Sequence, residues 1–109
     1  MSEKRRAGRE SVPEEVHELR QFFRALGDTS RLRIVHELAG QEEMSVSQLV
    51  AALRVSQPLV SWHLGHLRRI GLVRMRRTGR QGYCSLDRAR LRNYQAMLAS
   101  FLGENEDSG

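Results

Sequence analysis

The sequence predicts a mostly α-helical domain carrying one small β-hairpin. Three observations lead there. Apolar residues recur at helical spacing in four successive segments up to residue 70; the period drops to two over residues 72–86; helical spacing returns after Asp87. With 109 residues the chain holds one modest core, burying roughly two-thirds of the surface its unfolded form exposes. No internal repeat and no long linker marks off a second domain.

The first segment, PEEVHELRQFFRAL, begins at Pro13 with acids in its first turn and spaces Val16, Leu19, Phe22, Phe23 and Leu26 along one face. Gly27 ends it. In DTSRLRIVHEL, Asp28 or Thr29 caps a second helix that turns Leu32, Ile34, Val35 and Leu38 inward and closes at Gly40. SVSQLVAAL is a short third helix with Ser45 or Ser47 as its cap and Val46, Leu49, Val50 and Leu53 on its apolar side. The tripeptide RVS then makes a tight turn, and Ser56 caps a fourth helix running to about Ile70, stopped by Gly71. LVRMRR and GYCSL are alternating and β-compatible, joined by the glycine-containing turn TGRQ. Asp87 caps the last helix, in which Leu91, Tyr94, Met97, Leu98, Phe101 and Leu102 form a stripe.

Helices three and four, joined by a short turn, read as a helix-turn-helix, and the hairpin that follows as a wing. The expected architecture is a winged helix-turn-helix of five helices plus wing over residues 13–102. A flexible arm (1–12) precedes it and a disordered acidic tail (103–109) follows.

Charge is unevenly spread. Residues 54–92 hold ten arginines against Asp87 alone, a net of +9, whereas residues 1–53 carry −1 and residues 93–109 carry −3; the whole chain is +5. Lys4 is the only lysine, so part of the excess is a preference for arginine. That preference does not explain the missing acids. A basic block inside a folded segment is the footprint of a polyanion-binding face. No apolar run approaches the ~20 residues of a membrane span. The charged N-terminus is not followed by an apolar signal stretch, and Cys84 has no partner for a disulfide. These features point to a cytoplasmic, nucleoid-associated protein with no membrane partner.

On the fourth helix, Val60, Leu64 and Leu67 fall within one narrow arc and face the core. Gln57 and Pro58 occupy the first turn, the end of a recognition helix that reaches base edges. Gln57 carries an amide suited to adenine, Ser61 a hydroxyl for base or phosphate, and Leu59 or Trp62 apolar surface for a thymine methyl. Gly65 lets backbone come close. Ser56 opens the same face, and Arg68 and Arg69 meet phosphate where the helix leaves the groove. In the hairpin, Arg74, Arg76, Arg77 and Arg80 surround Gly79 with no acid nearby in sequence, an arrangement suited to a minor groove or its phosphates. Two blander readings compete: Trp62 packed against the hairpin, and the arginines as a solvated turn.

Taken together, ALGDTSRLRIVHEL, VSQPLVSWHLGHLRRIGLV and RTGRQGYCSLD resemble the ArsR/SmtB family of bacterial winged-helix repressors, in order and at that family's spacing, from about Val16 to Phe101. The resemblance implies a homodimer through the first and last helices, with Val16, Leu19, Phe22, Phe23, Leu91, Tyr94, Met97, Leu98 and Phe101 at the interface. It also implies an operator palindrome as the double-stranded DNA partner, and release by an inducer, usually a metal ion. The residues agree independently, because the apolar stripes of the terminal helices exceed what one small domain can cover. A two-fold axis would set two recognition helices about 34 Å apart on DNA.

Departures concern the inducer. One metal site of the family uses a Cys-x-Cys pair in a stretch of the form ELCVCDL; here residues 43–49 read EMSVSQL, with Ser45 and Ser47 at the cysteine positions. Serine is a poor ligand for thiophilic ions. The other site falls on Arg88, Arg90, Phe101 and Glu104, of which only Glu104 can ligate. His63 and His66 have the spacing of a two-ligand clip, but tetrahedral zinc takes three or four ligands and no acid adjoins the pair. In the family pattern VSxHL, His63 matches a histidine outside both metal sites and is expected at the groove edge, near phosphate. No metal and no cofactor is expected. The inducer is then a small organic molecule between the terminal helices, a redox signal, or absent. Cys84 faces either core or solvent by alternation, and a redox switch lacks a resolving partner. Outside this class stands a protein-interaction adaptor without DNA binding, against which the basic block argues. An enzyme fits least, since no nucleophile–base pair and no phosphate loop is present.

Overall fold

The computed structural model describes residues 13–104, so the N-terminal arm and nearly all of the acidic tail lie outside the described residues. Five helices and three strands follow one another: α1 (Glu14–Leu26), α2 (Thr29–Ala39), β1 (Met44–Ser45), α3 (Val46–Leu53), α4 (Gln57–Arg69), β2 (Val73–Thr78), β3 (Gln81–Leu86) and α5 (Arg88–Phe101).

The open capping choices are settled by hydrogen bonds. Asp28, not Thr29, caps α2, its Oδ1 accepting from the Ser30 and Arg31 amides at 2.8 and 3.2 Å. Ser45, not Ser47, caps α3 in a reciprocal box: the Gln48 amide donates to Ser45 Oγ, and the Ser45 amide to Gln48 Oε1. Ser56 stands at the start of α4, but its hydroxyl makes no capping bond; Pro58 in the first turn needs no partner for an amide it lacks. Asp87 caps α5 through the Arg90 amide at 2.9 Å.

Two differences from expectation concern backbone. The sheet has three strands, ordered β1-β3-β2, because Met44 and Ser45 pair antiparallel with Cys84 and Tyr83. Two residues are too few to display an alternation, so β1 left no periodic signal. The turn between α3 and α4 places Arg54 in the left-handed region (φ 59, ψ 43), a conformation that costs a non-glycine residue about 1 kcal/mol. At the hairpin tip, Gly79 (φ +61) precedes Arg80 in a two-residue loop. A positive φ at the first central position alone fits a type II′ turn.

The core is built by Ile34 and Leu38 of α2, Leu49 of α3, Val60 and Leu67 of α4, Leu72, and Cys84 of β3, all fully buried. Each of the aliphatic side chains contributes about 1.5–3 kcal/mol by leaving water. Leu32, expected inward, is 51% exposed, since the burial arc of α2 centres on Ile34 and Leu38. Phe22 of α1 stacks on Tyr94 of α5 with centroids 4.4 Å apart, and the Tyr94 hydroxyl donates to the Ile70 carbonyl at 2.8 Å. Two arginines close helix ends: Arg33 donates to the Ala52 and Leu53 carbonyls of α3, and Arg88 to Leu38, Ala39 and Gln41 at the end of α2.

Candidate nucleic-acid interface

The buried arc of α4 holds Val60, Leu64 and Leu67 as expected, and this fixes which face is open. Gln57, Pro58, Leu59, Ser61, Trp62, Arg68 and Arg69 are exposed along it. Gln57 Nε2 donates to Ser61 Oγ at 3.3 Å, so the two polar groups one turn apart are already aligned. A Cβ placed on Gly65 would meet nothing within 4 Å, so the backbone there is open to approach. Trp62 is 56% exposed, and its ring neighbours come from α4 and α2: His66 at 4.6 Å, His63 at 5.1 Å and the Arg31 guanidinium at 5.7 Å.

His63 is not at the groove edge. It is buried, with Nδ1 3.1 Å from Nη1 of Arg31 and 3.9 Å from Oδ1 of Asp28. A guanidinium only donates, so in the neutral form of the ring it is Nδ1 that accepts in this contact. The signal was present in the sequence. His63 stands three residues after Val60 and four before Leu67, on the same face of the helix. Its partner Arg31, which sequence reasoning did not single out, also donates through Nε to the Ala25 carbonyl at 2.6 Å. Arg31 thereby ties the end of α1 to the middle of α4. Partial desolvation pushes the Asp28 carboxyl upward, but the Arg31 and Ser30 amides together with the nearby His63 and Arg31 charges outweigh it and hold the group below its ordinary range. For His66, desolvation and the surrounding charges of Arg31, Arg69, His63 and Arg24 keep the imidazole below its usual value.

The wing arginines divide into two kinds. Acids far off in sequence pair with two of them, contrary to the expectation of an unbalanced tip. Arg76 makes a two-pronged ion pair with Glu43 (2.9 and 2.8 Å), donates to Thr78 Oγ1, and lies 4.6 Å over the Tyr83 ring. Arg74 pairs with Asp87 at 3.1 Å. Arg77 and Arg80, at the exposed tip, form no ion pair among the described residues, and neither do Arg68 and Arg69 on α4.

Cys84 points into the core, which resolves the ambiguity left by alternation. Its Sγ lies 3.4 Å from Met75 Sδ, and desolvation pushes the thiol up to about 11. Among the described residues no three His, Cys, Asp or Glu side chains come together in a group able to hold a metal ion. The ring nitrogens of His63 and His66 each face an arginine instead.

Of the residues expected at a dimer interface, Leu19, Phe22 and Tyr94 are buried within the protomer's own core and offer it little surface. Val16, Leu91, Met97 and Leu98 are half-buried, while Phe23 and Phe101, with neighbouring Leu102, are exposed.

Comparison with known proteins agrees with this geometry. The family described as "Bacterial regulatory protein, arsR family" matches residues 28–75, which run from the Asp28 cap through the helix-turn-helix into β2. A transcriptional repressor SmtB homolog of Synechocystis sp. is 40% identical over 93 residues, spanning 85% of this chain and 70% of that protein. The arsenic resistance transcriptional regulator ArsR1 of Pseudomonas putida is 34% identical over 85 residues, covering 78% of this chain and 66% of its own length. Among solved structures, an ArsR-like transcriptional regulator from Rhodococcus sp. superposes with a TM-score of 0.70 at 31% identity, covering 85% of this chain and 86% of that one. The chain belongs to the ArsR/SmtB family of winged helix-turn-helix transcriptional regulators.

Proposed function

We propose that this chain is a repressor that binds a short palindromic operator as a homodimer and reads it through Gln57, Ser61 and Trp62 of α4. The observation that carries this reading is the open face of α4. A tryptophan 56% exposed beside an aligned glutamine–serine pair makes little sense in water. Arg68 and Arg69 on α4 and Arg77 and Arg80 on the wing hold phosphate. Arg74 and Arg76 act less as phosphate ligands than as struts, since each has a carboxylate partner. Pairing occurs through α1 and α5, which is supported by the exposed Phe23, Phe101 and Leu102. Control is independent of thiophilic metal ions, as supported by Ser45 and Ser47 standing at the cysteine positions of one family site and by Arg88 and Arg90 at the other. No helix among the described residues is long and apolar enough to cross a membrane, and the proposed place of action is the cytoplasm, on the nucleoid.

Selection of bound sequences from a random DNA pool tests the reading directly. The expected product is a pair of inverted half-sites whose centres lie about one helical turn, ~34 Å, apart. An unenriched pool would favour an adaptor that has kept the fold and lost DNA binding.

A further inference from the structure

A notch of about 350 Å³ opens between α1, α2 and the end of α4, and its polar lining is cationic or neutral throughout: Gln21 and Arg24 from α1, Arg31 from α2, His66 and Arg69 from α4. We propose that this notch is a binding site for a phosphate-class oxyanion, held by the Arg24, Arg31 and Arg69 guanidinium groups with His66 and Gln21 as additional donors.

Four features support it. No carboxylate lines the notch. Of the acids around it, Asp28 is committed to the cap of α2, and Glu14 and Glu18 line an adjoining depression that shares Gln21 and Arg69 with the notch. The Arg24 guanidinium has no hydrogen-bond or ion-pair partner among the described residues, so three guanidinium groups share a small volume with one of them uncommitted. Planar guanidinium forks are the side chains best matched to phosphate oxygens. Finally, desolvation and then the surrounding positive charges hold the His66 imidazole below its usual range, and a bound dianion offsets the charge contribution, so His66 gains a proton more readily and donates to the occupant.

Position gives the site a consequence. Two of its donors, Arg31 and His66, are also neighbours of the Trp62 ring. An occupant that draws Arg31 and charges His66 therefore acts on the side chain at the centre of the open face of α4. The occupant is either a free oxyanion or phosphorylated small molecule, or a phosphodiester of the DNA backbone. The chemistry is the same and the two are separable by experiment.

Trp62 is the only tryptophan, and a protonated imidazole against an indole edge quenches its emission. The full chain without DNA is titrated with sodium phosphate and with pyrophosphate at constant ionic strength, with chloride as control, while the His66 ring protons are followed by NMR across pH. The expected result is saturable quenching, an upward move of the His66 midpoint, and roughly tenfold weaker binding in Arg24→Gln. Gln21→Glu, which puts a carboxylate into the notch, abolishes the response while circular dichroism confirms the fold. In a second arm, binding to non-operator DNA is measured against salt. A slope lower by about one in Arg24→Gln, with weak free-phosphate binding, identifies the backbone phosphodiester as occupant. An unchanged slope beside saturable phosphate binding identifies a free oxyanion. Quenching by chloride equal to that by phosphate, together with an unchanged DNA slope in Arg24→Gln, overturns the proposal.

Discussion

Nη1 of Arg31 lies 3.1 Å from Nδ1 of His63, although the two residues are thirty-two positions apart in the chain. Through this contact the first turn of α2 is pinned to the inward face of α4. The outward face of that part of α4 presents Trp62, next in the chain to His63, with the Arg31 guanidinium 5.7 Å from its ring. Removing the acceptor leaves a half-buried guanidinium hydrogen without a partner. His63→Ala is expected to lower unfolding free energy by about 2 kcal/mol. His63→Gln, whose amide oxygen can accept in place of Nδ1, should recover part of it. Urea denaturation of the two variants measures the difference, and equal losses would count against the bond.

The two kinds of wing arginine should separate in salt titrations of DNA binding. Arg77→Ala and Arg80→Ala should each lower the log–log slope by about one, with similar weakening on all sequences. Arg76→Ala should lower it less, because Glu43 already neutralises that charge. Glu43→Gln frees Arg76 and should steepen the slope.

Base reading should depend on Gln57. Gln57→Ala is expected to relax preference at one position per half-site, a change of about 1–3 kcal/mol in discrimination, while affinity for non-operator DNA stays near that of the parent. Profiles selected from the same random pool make the comparison.

The Cys84 thiol should resist alkylation in the native protein at pH 8 and react once the chain is unfolded in urea. Desolvation raises it from its ordinary value of 9.0 to about 11, so the folded state keeps a proton that the unfolded chain releases first. The resulting stabilisation is complete below pH 9 and is lost as pH rises through about 11. Stability measured from pH 8 to 11 should therefore fall more steeply in the parent than in Cys84→Ala. The excess is on the order of 2 kcal/mol.

Zinc, cadmium or arsenite at stoichiometric levels should leave the protein–DNA complex intact in a mobility-shift assay. Clean release by any of them would locate a site that the residues at positions 43–49 and on α5 do not suggest.

How much of this was legible in the sequence varies with the range of the interaction. All five helices and both long strands follow from periodicity and caps, because those signals are local: Asp28, Ser45 and Asp87 each sit within three residues of the amides they satisfy. β1 was not legible, since two residues show no period. The Arg76–Glu43 pair joins side chains thirty-three positions apart, and nothing local announces such a pairing. His63 is a different case. Helical spacing puts it between Val60 and Leu67 on the inward face, but the expectation of a groove-edge role took no account of that spacing and came from the family pattern instead. The open face of α4 was legible because burial of one arc fixes the other, whereas the Arg24, Arg31, His66 and Arg69 notch depends on three helices meeting.

Ser45 ends β1 and caps α3 at the same time. One residue thus belongs both to the sheet that carries the wing and to the first helix of the pair that presents α4. The sheet and the helix pair are thus joined at a common pivot, like the two arms of a calliper. Under the proposed reading, in which wing tip and α4 hold one duplex, the span between them is gauged by this joint, and a duplex of another width would have to deform to be held.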